Sequence, residues 1–294
     1  MLTSKPEIAF VVSGLDGQSR LDQLLRRRFP TWGRQAVQRL IAGRQVQVNE
    51  RTVWLASWLV RNQDHISIRE APAAKPAPFT HFAEEWLLAA DADLVVVNKP
   101  AGLLSEAPPH RDAPNLHDLA IARFGALTLF HRLDRDTSGV VLLTRTTVMN
   151  RVLAAAFQGH TVTKHYVAVV PAPNRLADAG VIDARLAPHP SRRDLMAVVA
   201  KGGQTARTRY AVLGTRDGRQ LISLWPETGR THQLRVHLAL MGAPILGDRL
   251  YGDQAAAPRL LLHAYQIMAP AANGASRTFV APLPPEFVFP GVVL

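Results

Sequence analysis

The chain has 294 residues, 47% hydrophobic and 19% charged, with no cysteine; this length suits one large domain plus a small module, and disulfides, thiolate chemistry and Cys-ligated zinc or iron–sulfur sites are excluded. Thirty-four Lys+Arg against 23 Asp+Glu leave a net charge of +11, most of it from Arg. A guanidinium makes two charge-assisted bonds to phosphate where an ammonium makes a point contact, so this balance favours a polyanionic partner, most simply nucleic acid, over an ordinary solvated surface encoded with Arg in place of Lys.

No stretch approaches the roughly 20 apolar residues that cross a bilayer. The segment Met1-Leu2-Thr3-Ser4-Lys5-Pro6-Glu7 has no apolar run ahead of a cleavage site, so no secretory signal is expected. The expectation is a cytoplasmic protein, a monomer by default, with no membrane partner.

Residues 1–70 read as a small α/β module. Ser19-Arg20-Leu21-Asp22-Gln23-Leu24-Leu25 opens a helix with its leucines on one face, and Pro30 ends it. A second helix is predicted from about Gly33 to Ile41, with Ala36, Val37, Leu40 and Ile41 as its apolar face and Gly43 as the left-handed residue that stops it. Gln45–Asn49 and Asp64–Ile68 alternate with period two and read as strands. Arg26, Arg27, Arg28, Arg34, Arg39 and Arg44 fall on or beside the helices. Residues 1–70 hold 11 Lys+Arg and six Asp+Glu, a balance of +5. The alternative is an amphipathic helical pair with solvated arginines.

A Pro/Ala-rich stretch over 71–80, opening with Ala71-Pro72-Ala73-Ala74-Lys75-Pro76-Ala77-Pro78, is predicted to be an extended, semi-rigid linker, the alternative being a surface loop within one domain. From 81 to 294 the chain is strand-rich. Strands are expected at 94–98, 140–144, 166–170, 208–212, 221–224 and 260–264, and helices at about 115–123, 146–157 and 231–241. Because they do not alternate strictly, the fold class is α+β: a mixed, mainly antiparallel central sheet with flanking helices.

The densest chemistry lies in His131-Arg132-Leu133-Asp134-Arg135-Asp136-Thr137-Ser138-Gly139. Charged residues immediately before an apolar strand belong at the rim of a sheet, where sites gather. On residue types alone the segment fits a salt-bridged turn as well as a site. A kinase catalytic loop is excluded by the absence of Asp-Phe-Gly and a Gly-rich loop, and a Ser/His/Asp hydrolase by the lack of a nucleophile elbow.

His131-Arg132-Leu133-Asp134-x-x-Thr137-Ser138-Gly139 resembles the signature loop of RluA-type RNA pseudouridine synthases at every defined position. Asn98-Lys99-Pro100-Ala101-Gly102, Lys164-His165-Tyr166, and Thr228-Gly229-Arg230-Thr231-His232-Gln233-Leu234-Arg235-Val236-His237 with Pro244-Ile245-Leu246-Gly247-Asp248 and Tyr251-Gly252 follow in that family's order. The N-terminal module resembles the S4 RNA-binding domain, although Glu50 stands where that family usually has Gly. After Gly102-Leu103 the synthases commonly carry a Val-His pair, and this chain has Leu104-Ser105-Glu106.

The resemblance implies the pseudouridine synthase fold and isomerisation of uridine in structured RNA, with no cofactor or metal. Ribosomal RNA of the large subunit is the expected target and transfer RNA the alternative. It implies that Asp134 is the catalytic carboxylate and that Arg132 fills the stack vacated by a flipped uridine. Tyr166 would pack against the base, and Arg235 would pair with Asp134. A flipped base costs a few kcal/mol to extrude, and a planar guanidinium or an aromatic ring can offset part of that by stacking.

Lys99 reads equally as structure or as an RNA contact, beside the RNA-binding candidates Arg26, Arg34, Arg39 and Arg44. Asp136 is expected to cap a turn, Asp248 to brace a loop, and His263 to be a core residue. His232 and His237 are five apart, not the four that place two ligands on one metal. Two other classes compete: a non-catalytic RNA-binding scaffold, which would not be expected to retain Asp134, Tyr166 and Arg235 together, and a two-carboxylate hydrolase, which would need Asp136 as its acid.

Overall fold

The computed structural model describes residues 8–30, 32–69, 79–108, 113–192 and 194–294. The chain divides into two compact units, Met1–Pro78 and Phe79–Leu294. Residues 71–78 of the stretch expected as a linker lie outside the described residues.

In the first unit, β1 (Ile8–Val11), α1 (Leu21–Arg28), α2 (Arg34–Ala42), β2 (Val46–Val48), β3 (Arg51–Val53) and β4 (His65–Ile68) form a helix pair and a four-stranded antiparallel sheet ordered β1-β4-β2-β3. Leu21, Leu24 and Leu25 of α1 and Val37, Leu40 and Ile41 of α2 are buried with Val46, Val48, Ile66 and Ile68 in one core. The periodicity that predicts the helices is therefore the periodicity that buries them.

The left-handed residue after α2 is Arg44, with φ 60°, and not Gly43. The helix runs one residue further than expected. Bonds from Arg44 N to Ile41 O (3.0 Å) and Gln45 N to Leu40 O (3.1 Å) then form a Schellman closure with Arg44 at its left-handed position. The β2–β3 turn holds both Asn49 (φ 49°) and Glu50 (φ 64°) in the left-handed region, which is costly for a residue with a Cβ at Glu50. Asn49 secures it, accepting from His65 N (2.8 Å) and donating to Asp64 Oδ1 (2.8 Å).

The second unit contains β5 (Leu87–Ala90), β6 (Leu94–Lys99), α3 (Leu116–Phe124), β7 (Thr128–Leu129), β8 (Ser138–Thr144), α4 (Thr147–Gln158), β9 (Thr163–Pro171), β10 (Ala179–Pro188), β11 (Met196–Val198), β12 (Gln204–Arg216), β13 (Arg219–Pro226), α5 (Gln233–Leu240), β14 (Leu262–Pro270) and β15 (Ser276–Val280). They build one 11-stranded sheet along β11-β10-β12-β13-β9-β14-β8-β6-β5, with β15 beside β14 and β7 beside β8. Its pairings are antiparallel except β14 with β8. The expected mixed, mainly antiparallel α+β architecture is thus the one observed.

Every residue of β8 is buried, as is Val167–Val170 of β9, and strands covered on both faces read as continuous apolar runs. Where β8 meets β14, His263 pairs with Ser138 and Ala264 with Gly139. A Cβ on Gly139 (φ 119°) would lie 2.2 Å from Ala264 O, so this strand junction admits only glycine. Among the described residues no helix is long and apolar enough to cross a membrane.

Three histidines of this unit are held neutral by their surroundings. His131 accepts at Nε2 from Leu142 N (3.0 Å), and burial first, then the charge of Lys164, pushes its pKa down to about 3. Burial pushes His237 and His263 down to about 4. An unfolded chain takes up these protons near the ordinary value of about 6.5. Their contribution is therefore intact above that pH and is lost as pH falls toward 4. The unfolding free energy of the full chain should decline between pH 7 and pH 5, and His237→Gln should reduce that slope by up to about 1.4 kcal/mol per pH unit. An unchanged slope in urea titrations would contradict a neutral His237.

Candidate active site

Residues 131–137 leave β7 and enter β8 as a loop braced from beneath by residues 99–105. The Lys99 side chain is fully buried. Its Nζ donates to the carbonyls of Leu103 (2.8 Å), Pro100 (2.9 Å) and Arg135 (3.1 Å). Gly102 N donates to the same Arg135 carbonyl at 2.8 Å. Ser105, also buried, donates from Oγ to Leu133 O (2.8 Å) and accepts from Leu133 N (3.0 Å), fixing the residue between Arg132 and Asp134 in both directions.

Of the two readings of Lys99, structure or RNA contact, its burial supports the first: Nζ is bonded to three carbonyls inside the fold. Burial pulls its pKa down to about 7 against the opposing charges of Asp136 and Asp134, while three acceptors match the three N–H of the charged form.

Asp134 stands at the open end of this braced loop, its side chain 27% exposed. Arg235 of α5 donates from Nη1 to Asp134 Oδ2 at 3.0 Å. Among the described residues no hydrogen bond reaches Oδ1, so one carboxylate oxygen is held and the other is open to a reactant.

Arg235 is itself fixed from behind by Asp248, through Nε to Oδ2 (2.8 Å) and Nη2 to Oδ1 (2.8 Å). This bidentate fork defines the guanidinium plane as well as its position. Burial disfavours the Arg235 charge, but the hydrogen bonds and charge of Asp248, then the charge of Asp134, more than compensate and hold its pKa above the ordinary value. Asp248 is fully buried. Against that burial, the bonds and charge of Arg235 and the amides of Leu250 (2.9 Å) and Tyr251 (3.2 Å) keep its carboxyl below the usual range.

Local sequence explains the placement. A Cβ on Gly247 (φ 76°) would lie 1.9 Å from Arg259 O, so only glycine lets the chain turn there to direct Asp248 inward. Gln233 opens α5 and ties down the preceding loop, accepting from Thr228 Oγ1 (2.7 Å) and Arg230 N (3.0 Å) and donating to Arg207 O (3.0 Å). His232, just before the helix, is left-handed (φ 54°). Its Nδ1 lies 2.8 Å from the Tyr251 hydroxyl, which also accepts from Met196 N at 2.8 Å. His232 Nε2 lies 3.9 Å from Asp134 Oδ2. Burial lowers the His232 pKa although Asp134 opposes it.

Tyr166 lies on β9, paired with Leu224 of β13 and Ala264 of β14. It is half-buried, packed against the cluster that contains Leu133 and Ala264. Burial and the nearby charge of Asp134 raise the pKa of its phenol, so it is a neutral ring beside the carboxylate. Arg132 is the opposite case: 72% exposed, with Nη1 3.5 Å from Glu106 Oε2.

Asp136 pairs with its neighbour Arg135 at 3.0 Å and takes no part in the carboxylate cluster. His263 is buried on β14 and bonds Ser138 Oγ through Nδ1 at 2.9 Å. Of the first unit's arginines, Arg26, Arg34 and Arg44 are exposed, and among the described residues neither Arg26 nor Arg34 makes an ion pair. The Arg39 backbone belongs to α2; its side chain lies outside what is described. The sequence suggests Asp248 as a brace for a loop, which its bonds to Leu250 N and Tyr251 N make it, but does not show that it anchors Arg235 or that Ser105 and Tyr251 are supports. The Gly-Asp pair at 247–248 was the available signal.

The rim of the sheet thus carries one half-open carboxylate, a buried arginine that orients it and an aromatic ring beside it. Residues 93–240 match the RNA pseudouridylate synthase family. The chain is similar to ribosomal large subunit pseudouridine synthase D of Nitrosomonas europaea, 34% identical over 84% of this chain and 76% of that protein. It is also similar to the Haemophilus influenzae protein of the same name, 30% identical over 92% and 89%. The solved structure of human RNA pseudouridylate synthase domain containing 4 superposes with a TM-score of 0.55 at 30% identity, over 69% of this chain and 90% of that one. The chain belongs to the RNA pseudouridine synthases, enzymes that isomerise uridine in RNA, and to their RluA-type branch.

Proposed function

We propose that this enzyme converts uridine of large-subunit ribosomal RNA to pseudouridine, with Asp134 as its catalytic carboxylate. The observation that carries the assignment is the Asp134 side chain, oriented through Oδ2 by Arg235 and open at Oδ1. The reaction breaks the bond from ribose C1′ to uracil N1, turns the ring and forms a bond from C1′ to C5. C5 loses a proton and N1 gains one, so no electrons enter or leave. A single positioned carboxylate beside the flipped ribose suits this chemistry, acting on the sugar or on its protons. Tyr166 supports the reading as a neutral ring against which the uracil stacks, an interaction of about 1–3 kcal/mol.

Arg132 fits the role of stack filler because little holds it back: an exposed ion pair contributes at most about 1 kcal/mol. The ribosomal assignment rests on the names of the relatives, and it agrees with the net charge of +11. We read the first unit as an S4-like RNA-binding module, with Arg26, Arg34, Arg39 and Arg44 on or beside its helix pair and the exposed ones available to phosphate.

The test of the catalytic assignment is tritium release from RNA labelled at uracil C5. Wild type should release label from large-subunit ribosomal RNA, while Asp134→Asn should bind that RNA and release none. Full activity in Asp134→Asn would overturn the assignment, and release from transfer RNA alone would overturn the target. For the module, deletion of residues 1–72 should weaken RNA binding and flatten its dependence on salt, because fewer counterions are then displaced. An unchanged salt slope would contradict an RNA-binding first unit.

A further inference from the structure

The first unit carries a surface feature that its helix-borne arginines do not explain. Between β3 and β4, the segment Trp54-Leu55-Ala56-Ser57-Trp58-Leu59 exposes Trp54 (59%), Leu55 (52%), Trp58 (38%) and Leu59 (65%). Isolated exposed apolar residues are normal; four large ones within six residues mark an interaction site.

This exposure is not the product of a loose loop. The segment is fastened by its backbone to the start of α1. Asp22 N donates to Ala56 O (3.1 Å), Leu21 N to Trp58 O (2.7 Å), Val60 N to Ser19 O (3.0 Å) and Gln18 N to Val60 O (2.7 Å), and Leu59 forms a bridge with Arg20. Two of those carbonyls satisfy amides at the α1 N-terminus that would otherwise lack partners. Val60 is fully buried and Ala56 packs against the same core, while the tryptophans and leucines remain outside. The result is a stiff apolar platform.

Its setting is basic. Arg44 places its guanidinium 5.8 Å from the centre of the Trp54 ring. Arg51 and Arg61, both exposed and without an ion pair among the described residues, flank the segment in sequence, while Arg20, joined to it by the β-bridge, is paired with Asp22 (3.0 Å). Indole rings stack with any base because every base has a π-face, and neighbouring arginines pair with the phosphates between stacked nucleotides. A protein partner would bury the leucines equally well, but the excess of positive charge on this unit is complementary to a polyanion.

We propose that the Trp54–Leu59 segment is a stacking platform for unpaired nucleotides of the RNA substrate, a second contact point outside the catalytic site. The proposal rests on RNA being this enzyme's substrate and adds what the first unit selects: single-stranded nucleotides and not duplex backbone alone. The platform would let the enzyme discriminate among structured RNAs by the position of a flanking single strand, a choice that phosphate contacts alone do not make.

The test uses the full chain and two labelled RNAs, a hairpin with a single-stranded overhang and the same hairpin with its overhang paired to a complementary strand. Wild type should bind the overhang form more tightly. Trp54→Ser with Trp58→Ser should bind it roughly tenfold or more weakly, bind the paired form as wild type does, and keep the wild-type salt slope. Trp54→Phe with Trp58→Phe, which retains aromatic faces, should restore most of the preference. Three results would overturn the proposal: undiminished overhang binding by the serine pair, equal weakening on both RNAs, or a change of oligomeric state in the serine pair showing that the platform holds a second copy. If wild type bound neither RNA and released no tritium, the parent reading would fall as well, a result distinct from failure of the platform alone.

Discussion

The site depends on one buried guanidinium held between two carboxylates of unequal standing. Asp248 is sealed from solvent and spends both oxygens on Arg235 and on backbone amides. Asp134 is partly exposed and spends one oxygen on the same arginine. Placing a charge in a protein interior is costly unless it is paired, and removing one member of such a pair typically costs about 3–5 kcal/mol. Asp248 supplies that pairing for Arg235. The Nη1 group can then orient Asp134 without Arg235 relying on Asp134 alone for its own charge balance.

The rest of the unit serves this arrangement. The loop carrying Asp134 is fixed by Lys99, Gly102 and Ser105 from one side and by the glycine-only junction of β8 with β14 from the other. Because β14 also pairs with β9, the same junction brings Tyr166 next to the loop. The supports of the Asp134 loop are backbone carbonyls, strand pairings and positive-φ glycines, none of which adjusts easily.

Much of this was legible in the sequence, for identifiable reasons. β8 and β9 announce themselves because strands buried on both faces are continuous apolar runs, and α1 and α2 because one face of each is leucine, valine or isoleucine at helical spacing. The pairing of Asp134 with Arg235, across 101 residues, was accessible only through family resemblance, since no local pattern encodes a contact between distant elements. β10 carries a period-two pattern, Ile182, Ala184 and Leu186 turned inward between exposed Asp183 and Arg185, that sequence reading passed over, and the two-residue β7 is too short to show any period. Lys99 shows a different limit: a lysine after an apolar strand looks the same whether it faces water or three carbonyls, and only the closed loop around it decides. Arg44 shows that one extra residue in a helix moves the left-handed position from a glycine to an arginine.

The central claim is that Asp248 acts on Asp134 only through Arg235. Single-turnover rates of pseudouridine formation for Asp248→Asn, Arg235→Gln and the double variant test it most directly, with folding of each verified by thermal unfolding. If the three residues form one chain, each single substitution slows the reaction and the double variant is no slower than Arg235→Gln alone, because groups that act as a unit are strongly non-additive. Rate losses that multiply in the double variant would show that Asp248 reaches the reaction by another route, and would contradict the account.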